Sequence, residues 1–161
     1  MDGPYLSGDG VVTVATRVRS VVGAVVDPEI PVLTIEDLGI LRSVENRGGD
    51  VVVTITPTYS GCPAMRQIED DVASALLRAG VDSYRVEVTH SPAWTTDWIT
   101  ADGHRKLAEF GIAPPTSPAD VLCPRCQAHR PRLIAQFGST ACKALMVCSA
   151  CGEPFDYFKE F

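Results

Sequence analysis

No apolar run in this chain is long enough to cross a bilayer. The longest early one, Val21 to Val26, is far short of the roughly 20 residues a spanning helix needs. The amino terminus opens with Met1-Asp2-Gly3-Pro4 and not with the basic and apolar regions of a secretory leader, so a cytoplasmic location without membrane contact is expected. Basic side chains are also few: 14 Lys and Arg stand against 20 Asp and Glu, a net charge of -6. Residues 1 to 122 carry 9 basic and 17 acidic side chains, a balance of -8, and the remaining 39 carry 5 and 3. Four zinc-bound thiolates and one Zn(II) would bring that last segment near neutrality. Neither part offers the basic stripe that phosphate binding needs, which argues against nucleic acid and leaves protein partners. Histidine is scarce as well. His90, His104 and His129 are isolated, and solvated or core roles suit each better than ligation.

What the chain does have is a stretch that organises it, Pro57-Thr58-Tyr59-Ser60-Gly61-Cys62-Pro63, between an apolar strand and an amphipathic helix. Val51 to Thr56 is β-branched throughout, with Val51, Val53 and Ile55 on one face and Val52, Thr54 and Thr56 on the other, so a strand covered on both sides is expected. Pro63 suits a first helical position; Met65, Ile68, Val72, Leu76 and Ala79 then recur at helical steps until Gly80. Cys62 is thereby placed at or next to a helix N-cap, where orphan N-H groups and the positive end of the macrodipole favour a thiolate and a lowered pKa. A buried cysteine acting as a small hydrophobe is the alternative.

Upstream, Met1 to Gly10 reads as a flexible tail with order starting near Val11. A helix from about Thr13 to Val26 sets Val14, Val18, Val21, Val22 and Val25 along one stripe, and Asp27-Pro28-Glu29-Ile30-Pro31 ends it. Asp37-Leu38-Gly39 introduces the run Ile40 to Val44, and Asn46-Arg47-Gly48-Gly49-Asp50 reads as a hairpin loop. Downstream, Tyr84, Val86 and Val88 alternate with polar residues as a strand beside the hairpin, and Thr100 caps a helix that stops at Gly111. Trp94 and Trp98 cover the core's edge or form a partner surface; core packing is the commoner use. The order is αββαβα, an α+β domain over residues 11–112.

A Pro-rich linker, residues 113–120, separates that domain from a second module, residues 121–161. Cys123-Pro124-Arg125-Cys126 and Cys148-Ser149-Ala150-Cys151 are two C-x-x-C pairs separated by 21 residues, the spacing of a four-cysteine zinc site in a small β ribbon. Four thiolates leave no open position for substrate, so the metal is structural, and a segment this small depends on it for folding. A redox dithiol and an iron site are the rival readings. Cys142 stands outside the tetrad, either buried in the ribbon hairpin or a second reactive thiol beside Lys143.

Asp27-Pro28-Glu29-Ile30-Pro31, Asp37-Leu38-Gly39 and Thr56 to Pro63 together resemble the hallmark run of the MIP18 (DUF59) family, whose members act in iron-sulfur cluster assembly or delivery. Phe137 to Lys143 and Glu153 to Lys159 are similar to the subgroup formed by the D subunit of the phenylacetyl-CoA epoxidase system, and the resemblance covers roughly residues 11 to 161. It implies an accessory protein of aerobic phenylacetate breakdown that matures an iron-sulfur cluster in the epoxidase's reductase component, with Cys62 as the thiol that matters. Asp27, Asp37 and Thr58 fit the family motif, and they equally suit capping and turn roles. Many subgroup members carry a cysteine where this chain has Glu160.

Clusters generally take four cysteines, and the tetrad leaves only Cys62 and Cys142. Three readings follow: transfer, with a labile cluster held by Cys62 thiolates of a homodimer or by one thiolate and partner ligands; an adaptor bridging epoxidase components; and an enzyme with Cys62 as nucleophile and His90 or His104 as base.

Overall fold

Two glycines close the first hairpin. In the computed structural model, which describes residues 14–161, β1 (Leu41–Arg47) and β2 (Asp50–Ile55) pair antiparallel with Arg47 opposite Asp50. Gly48 and Gly49 between them both take positive φ, +62° and +96°, as a two-residue loop of this twist requires. The expected tail at residues 1–10 and the start of order near Val11 lie outside the described residues.

β2 is the central strand: β3 (Tyr84–Val88) pairs parallel to its other edge, Val51 opposite Tyr84 and Ile55 opposite Val88. A parallel neighbour needs a crossover, and α2 (Ala64–Arg78) provides it. Val52, Val53 and Ile55 are fully buried, so the strand is covered on both faces as its composition implies. β3 is an edge strand and departs from strict alternation; Tyr84 and Val86 pack against the core, whereas its last residue, Val88, is exposed.

α1 is shorter than its valine stripe suggests, spanning Val14–Gly23. Val25 N-H donates to the Val22 carbonyl and Val26 then bridges to Thr34, so the residues expected to extend the helix are drawn into extended pairing. Val18, Val22 and Val25 are buried, while Val14 and Val26 are exposed. α3 (Ala101–Glu109) is capped by Thr100, whose hydroxyl accepts from Gly103 N-H at 3.0 Å, and Gly111 follows at φ +88°. No helix among the described residues is long and apolar enough to cross a membrane.

The second sheet has the order β4 (Ile112–Ala113), β7 (Pro154–Phe158), β6 (Lys143–Val147), β5 (Arg132–Ala135). β4 runs parallel to β7, so the ribbon sheet takes in Ala113, the first residue of the expected linker. The Tyr157 hydroxyl donates to the Thr116 carbonyl and ties down the proline-rich segment that follows.

Ribbon and first lobe share apolar surface. Ile112, Cys142 and Phe158 belong to the same buried cluster as Val22, Ile55, Ile68 and Leu76. Trp94 lies under that seam, buried, with its Nε1-H donated to the Leu38 carbonyl at 2.8 Å and its ring tilted against Phe158 and Phe161 at 6.2 and 6.1 Å. Trp98 is half-buried and stacks under the Arg42 guanidinium, 3.6 Å from the ring centre. Both tryptophans therefore serve packing.

The Asp37-Leu38-Gly39 turn fits against the Trp98 segment with no space to spare. Gly39 has φ +69°, and a Cβ there would come within 2.6 Å of the Trp98 Cβ and carbonyl oxygen. Gly39→Ala is expected to cost about 2–4 kcal/mol, from backbone strain plus overpacking. A urea titration checks it, and an unchanged midpoint would show that the turn has room to move.

Candidate functional site

Cys62 is placed by a turn. Its N-H donates to the Tyr59 carbonyl at 3.3 Å, Gly61 takes φ +77°, and Pro63 occupies the cap position, so α2 begins two residues beyond the thiol. The sulfur is half-buried. Burial pushes the thiol up; the Ala64 N-H pulls it down, the Glu29 carboxylate pushes it up again, and hydrogen bonds from Tyr59 and Thr58 pull it down. The outcome is a raised pKa, which corrects the expectation of a thiolate formed by the helix terminus. One N-H and two hydroxyls do not outweigh desolvation and a neighbouring carboxylate. The thiol is therefore protonated near neutral pH.

Tyr59 and Glu29, which act on this thiol, also act on groups from other parts of the chain. Tyr59 is pushed up by burial first, then by Cys62, Glu29 and Cys142, so its hydroxyl stays a donor and bonds the Cys62 sulfur. Asp27 accepts the N-H of Glu29 and Ile30 through one oxygen, at 2.7 and 2.9 Å, which fixes the turn that carries Glu29. Burial raises Asp27 despite those bonds and the Lys143 charge, and Glu29 is raised by burial and by Asp27. One of those groups belongs to the ribbon. Cys142 is buried with the Thr140 hydroxyl 3.0 Å from its sulfur; burial raises it, Thr140 and Lys143 oppose, and Glu29 and Asp27 reinforce. Lys143 is itself buried, its Nζ 3.5 Å from Asp156.

Of the residues singled out in the sequence, Asp27, Cys62 and Cys142 each lie within electrostatic reach of Glu29, and Thr58 shares the Cys62 turn. Asp37 is elsewhere. One of its oxygens takes the Lys106 ammonium at 2.7 Å and the Thr34 N-H at 2.9 Å, while the Thr34 hydroxyl accepts the Asp37 N-H at 3.0 Å. Burial opposes these contacts, yet together they hold its carboxyl below the usual range. It clamps a turn to α3. Glu29 and Tyr59, which act on both thiols, are not singled out individually in the sequence, although each lies inside a quoted motif. No histidine is among the groups that set the Cys62 thiol. His90 lines a small cavity with Thr58, Tyr59 and Trp94, next to the turn that carries Cys62, and His104 lies on α3.

The second centre is the cysteine tetrad. The sulfurs of Cys123, Cys126, Cys148 and Cys151 all lie within 4.8 Å of one another, with Cys123–Cys151 at 3.8 Å and Cys126–Cys148 at 3.5 Å. Tetrahedral ligands about 2.3 Å from zinc stand about 3.8 Å apart, so the donor set fits that ion. Gly152 at φ +76° and Gln127 at φ +62° turn the two knuckles. The Cys148 sulfur accepts the Ala150 and Cys151 N-H, both at 3.4 Å, and is held down at about 6, the Cys151 N-H contributing most.

Residues 15–89 match the family described as iron-sulfur cluster assembly protein, and residues 112–159 match the PaaD zinc beta ribbon domain. An Escherichia coli protein that bears the name "Putative 1,2-phenylacetyl-CoA epoxidase", as its D subunit, is 49% identical over 140 residues, covering 83% of this chain and 85% of its own length. An Fe-S protein maturation auxiliary factor of Porphyromonas gingivalis is 35% identical over 85 residues, 52% of this chain and 80% of that one. Among solved structures, a DUF59 domain from Bacillus anthracis superposes with a TM-score of 0.53 at 28% identity, covering 58% of this chain and 90% of that chain.

Proposed function

The chain belongs to the MIP18 (DUF59) iron-sulfur assembly family, in the branch with a PaaD zinc ribbon, and on that premise we propose that it is a cytoplasmic factor that loads an iron-sulfur cluster into the reductase component of a phenylacetyl-CoA epoxidase. The observation that carries the reading is the seat of Cys62: a half-buried thiol on a turn, bonded by Tyr59 and Thr58 and faced by Glu29, in the part of the chain that matches the assembly family. A metal-free thiol there is protonated and unreactive. It binds when iron arrives and displaces the proton, and the hydroxyls of Tyr59 and Thr58 then stabilise the sulfur's charge.

The tetrad holds structural zinc and is closed to cargo, since all four positions are taken by the protein's own sulfurs. Cargo bound by few thiolates of the carrier is exchangeable: cysteines of the recipient replace them one at a time, and each released thiolate is reprotonated because its site raises the pKa. Exposed Leu133 and Ile134 on the edge strand β5, with exposed Phe137 beyond it, give the ribbon an apolar rim suited to a protein partner. The same rim suits an adaptor that only bridges epoxidase components.

Cys62→Ala decides between them. In cells expressing the epoxidase system, the variant is expected to retain its zinc and to lower the iron and acid-labile sulfide content of the reductase severalfold. Full cluster content in the reductase would sink the loading role and leave the adaptor.

A further inference from the structure

The charged side chains of the ribbon are unevenly matched. Of its three acids, Glu153 is paired with Arg125 at 2.6 Å and Asp156 with Lys143 at 3.5 Å, which leaves Glu160. The three bases that remain gather around one strand. Arg132 opens β5, Arg130 stands two residues before it, and Lys159 donates to the Gln136 carbonyl just past its end and lies 4.4 Å over the Phe137 ring. β5 is also the edge of its sheet, and Arg132, Leu133 and Ile134 are exposed in succession, as is Phe137 beyond them. Beside the strand lies a cavity of about 530 Å³ walled by Pro118, Pro131, Leu133, Met146 and Tyr157, with Lys159 and Glu160 also in its lining. A hydrophobic edge strand left open in this way is a template for another extended chain.

We propose that this edge is the docking site for a short, extended, acidic segment of a partner protein, which lies along β5 and seats one large apolar side chain in the cavity. Charge complementarity selects the occupant: three bases against one acid call for carboxylates, which Arg130 and Arg132 can hold in bidentate pairs. Main-chain hydrogen bonds to the strand edge give such a segment affinity, and the cavity gives it specificity. A second copy of the chain is a poor cover. β5 set against β5 would bring four guanidiniums together, and the register shift between Leu133 and Ala135 breaks the flat edge that a continuous sheet needs. The site is separate from Cys62 and serves a cluster-loading factor and an adaptor alike, so its failure leaves the reading of Cys62 untouched.

Two labelled synthetic peptides test this by fluorescence anisotropy on the zinc-loaded full chain: one alternates Val or Phe with Asp or Glu, and its counterpart carries Lys at the acidic positions. The acidic peptide is expected to bind saturably, and the basic one about tenfold more weakly. Arg130→Glu combined with Arg132→Glu should weaken the acidic peptide about tenfold, and Leu133→Ser severalfold. Added salt should weaken it too, and a proline in the middle of the peptide should abolish binding by removing a ladder N-H. Equal binding of the two peptides, or an unchanged affinity in the double arginine variant, overturns the acidic partner. No saturable binding at millimolar peptide overturns the site itself. A dimer in sedimentation that Leu133→Ser splits makes a second copy the occupant and overturns the proposal as well. The three substituted side chains are exposed, and one zinc per chain with an unchanged near-ultraviolet signal from Trp94 verifies folding of each variant.

Discussion

Cys148→Ser is expected to empty the tetrad and unfold the ribbon. The Cys148 sulfur is buried, stands 3.5 Å from Cys126, and accepts two knuckle N-H groups, so a hydroxyl in its place loses a soft ligand and misplaces the turn that carries Cys151. Metal binding of this kind contributes about 10–16 kcal/mol to the folding of isolated zinc modules. The ribbon's own buried cluster has only eight residues, among them Val121, Ala144, Met146, Phe155 and Tyr157, too few to replace that contribution. The effect should extend beyond the ribbon, because Phe158 and Phe161 cover Trp94. Zinc content should fall from one per chain to near zero, Trp94 emission should shift to the red, and residues 121–161 should become the first site of proteolysis while α1 to α3 persist. A variant that keeps stoichiometric zinc and a wild-type melting curve would show that three sulfurs and the seam suffice.

The same seam marks the limit of what is legible in the sequence. Elements with strong local signals are read directly from the residues: the β-branched run of β2, the Gly48-Gly49 loop, the Thr100 cap and the two C-x-x-C knuckles all depend on neighbours in the chain. The valine stripe overstates α1 because Val25 and Val26 carry no stop signal; they are held by Val22 and Thr34, and the Thr34 bridge is a tertiary pairing. The state of the Cys62 thiol escapes the sequence for a related reason. Helix-terminus effects are local and visible there, whereas the burial and the Glu29 charge that overrule them involve a turn 33 residues away. Asp27 and Asp37 look alike in sequence, one in an Asp-Pro-Glu run and one in Asp-Leu-Gly. Only the packing of α3 gives Asp37 its lysine and only the ribbon hairpin gives Asp27 its own. Cys142 is ambiguous between packing and chemistry in the sequence, because nothing local to it reveals that the first lobe's carboxylates stand beside it.

Phe158→Ala is expected to be the most damaging core substitution at the seam. Phe158 is 1% exposed, belongs to the first lobe's cluster although it sits on a ribbon strand, pairs across β6–β7 with Lys143, and tilts against Trp94 at 6.2 Å. Removing the ring leaves a cavity at the junction of two sheets that cannot both move inward, which places the cost at about 3–5 kcal/mol and the drop in melting midpoint on the order of 10 °C. Cys123 and Cys148 of the tetrad lie in the other buried cluster and Cys126 and Cys151 are exposed, so zinc should stay bound. That combination separates this substitution from Cys148→Ser: stability falls with metal intact. It should also loosen the hold on the neighbouring strand start, raising the alkylation rate of Cys142, which is buried in the intact protein. A loss under about 1 kcal/mol with Cys142 still protected would mean that the lobes are joined by the backbone alone and that the shared core does not position the ribbon. A large loss with exposed Cys142 and bound zinc would make the seam the element that brings the ribbon's thiol to the first lobe.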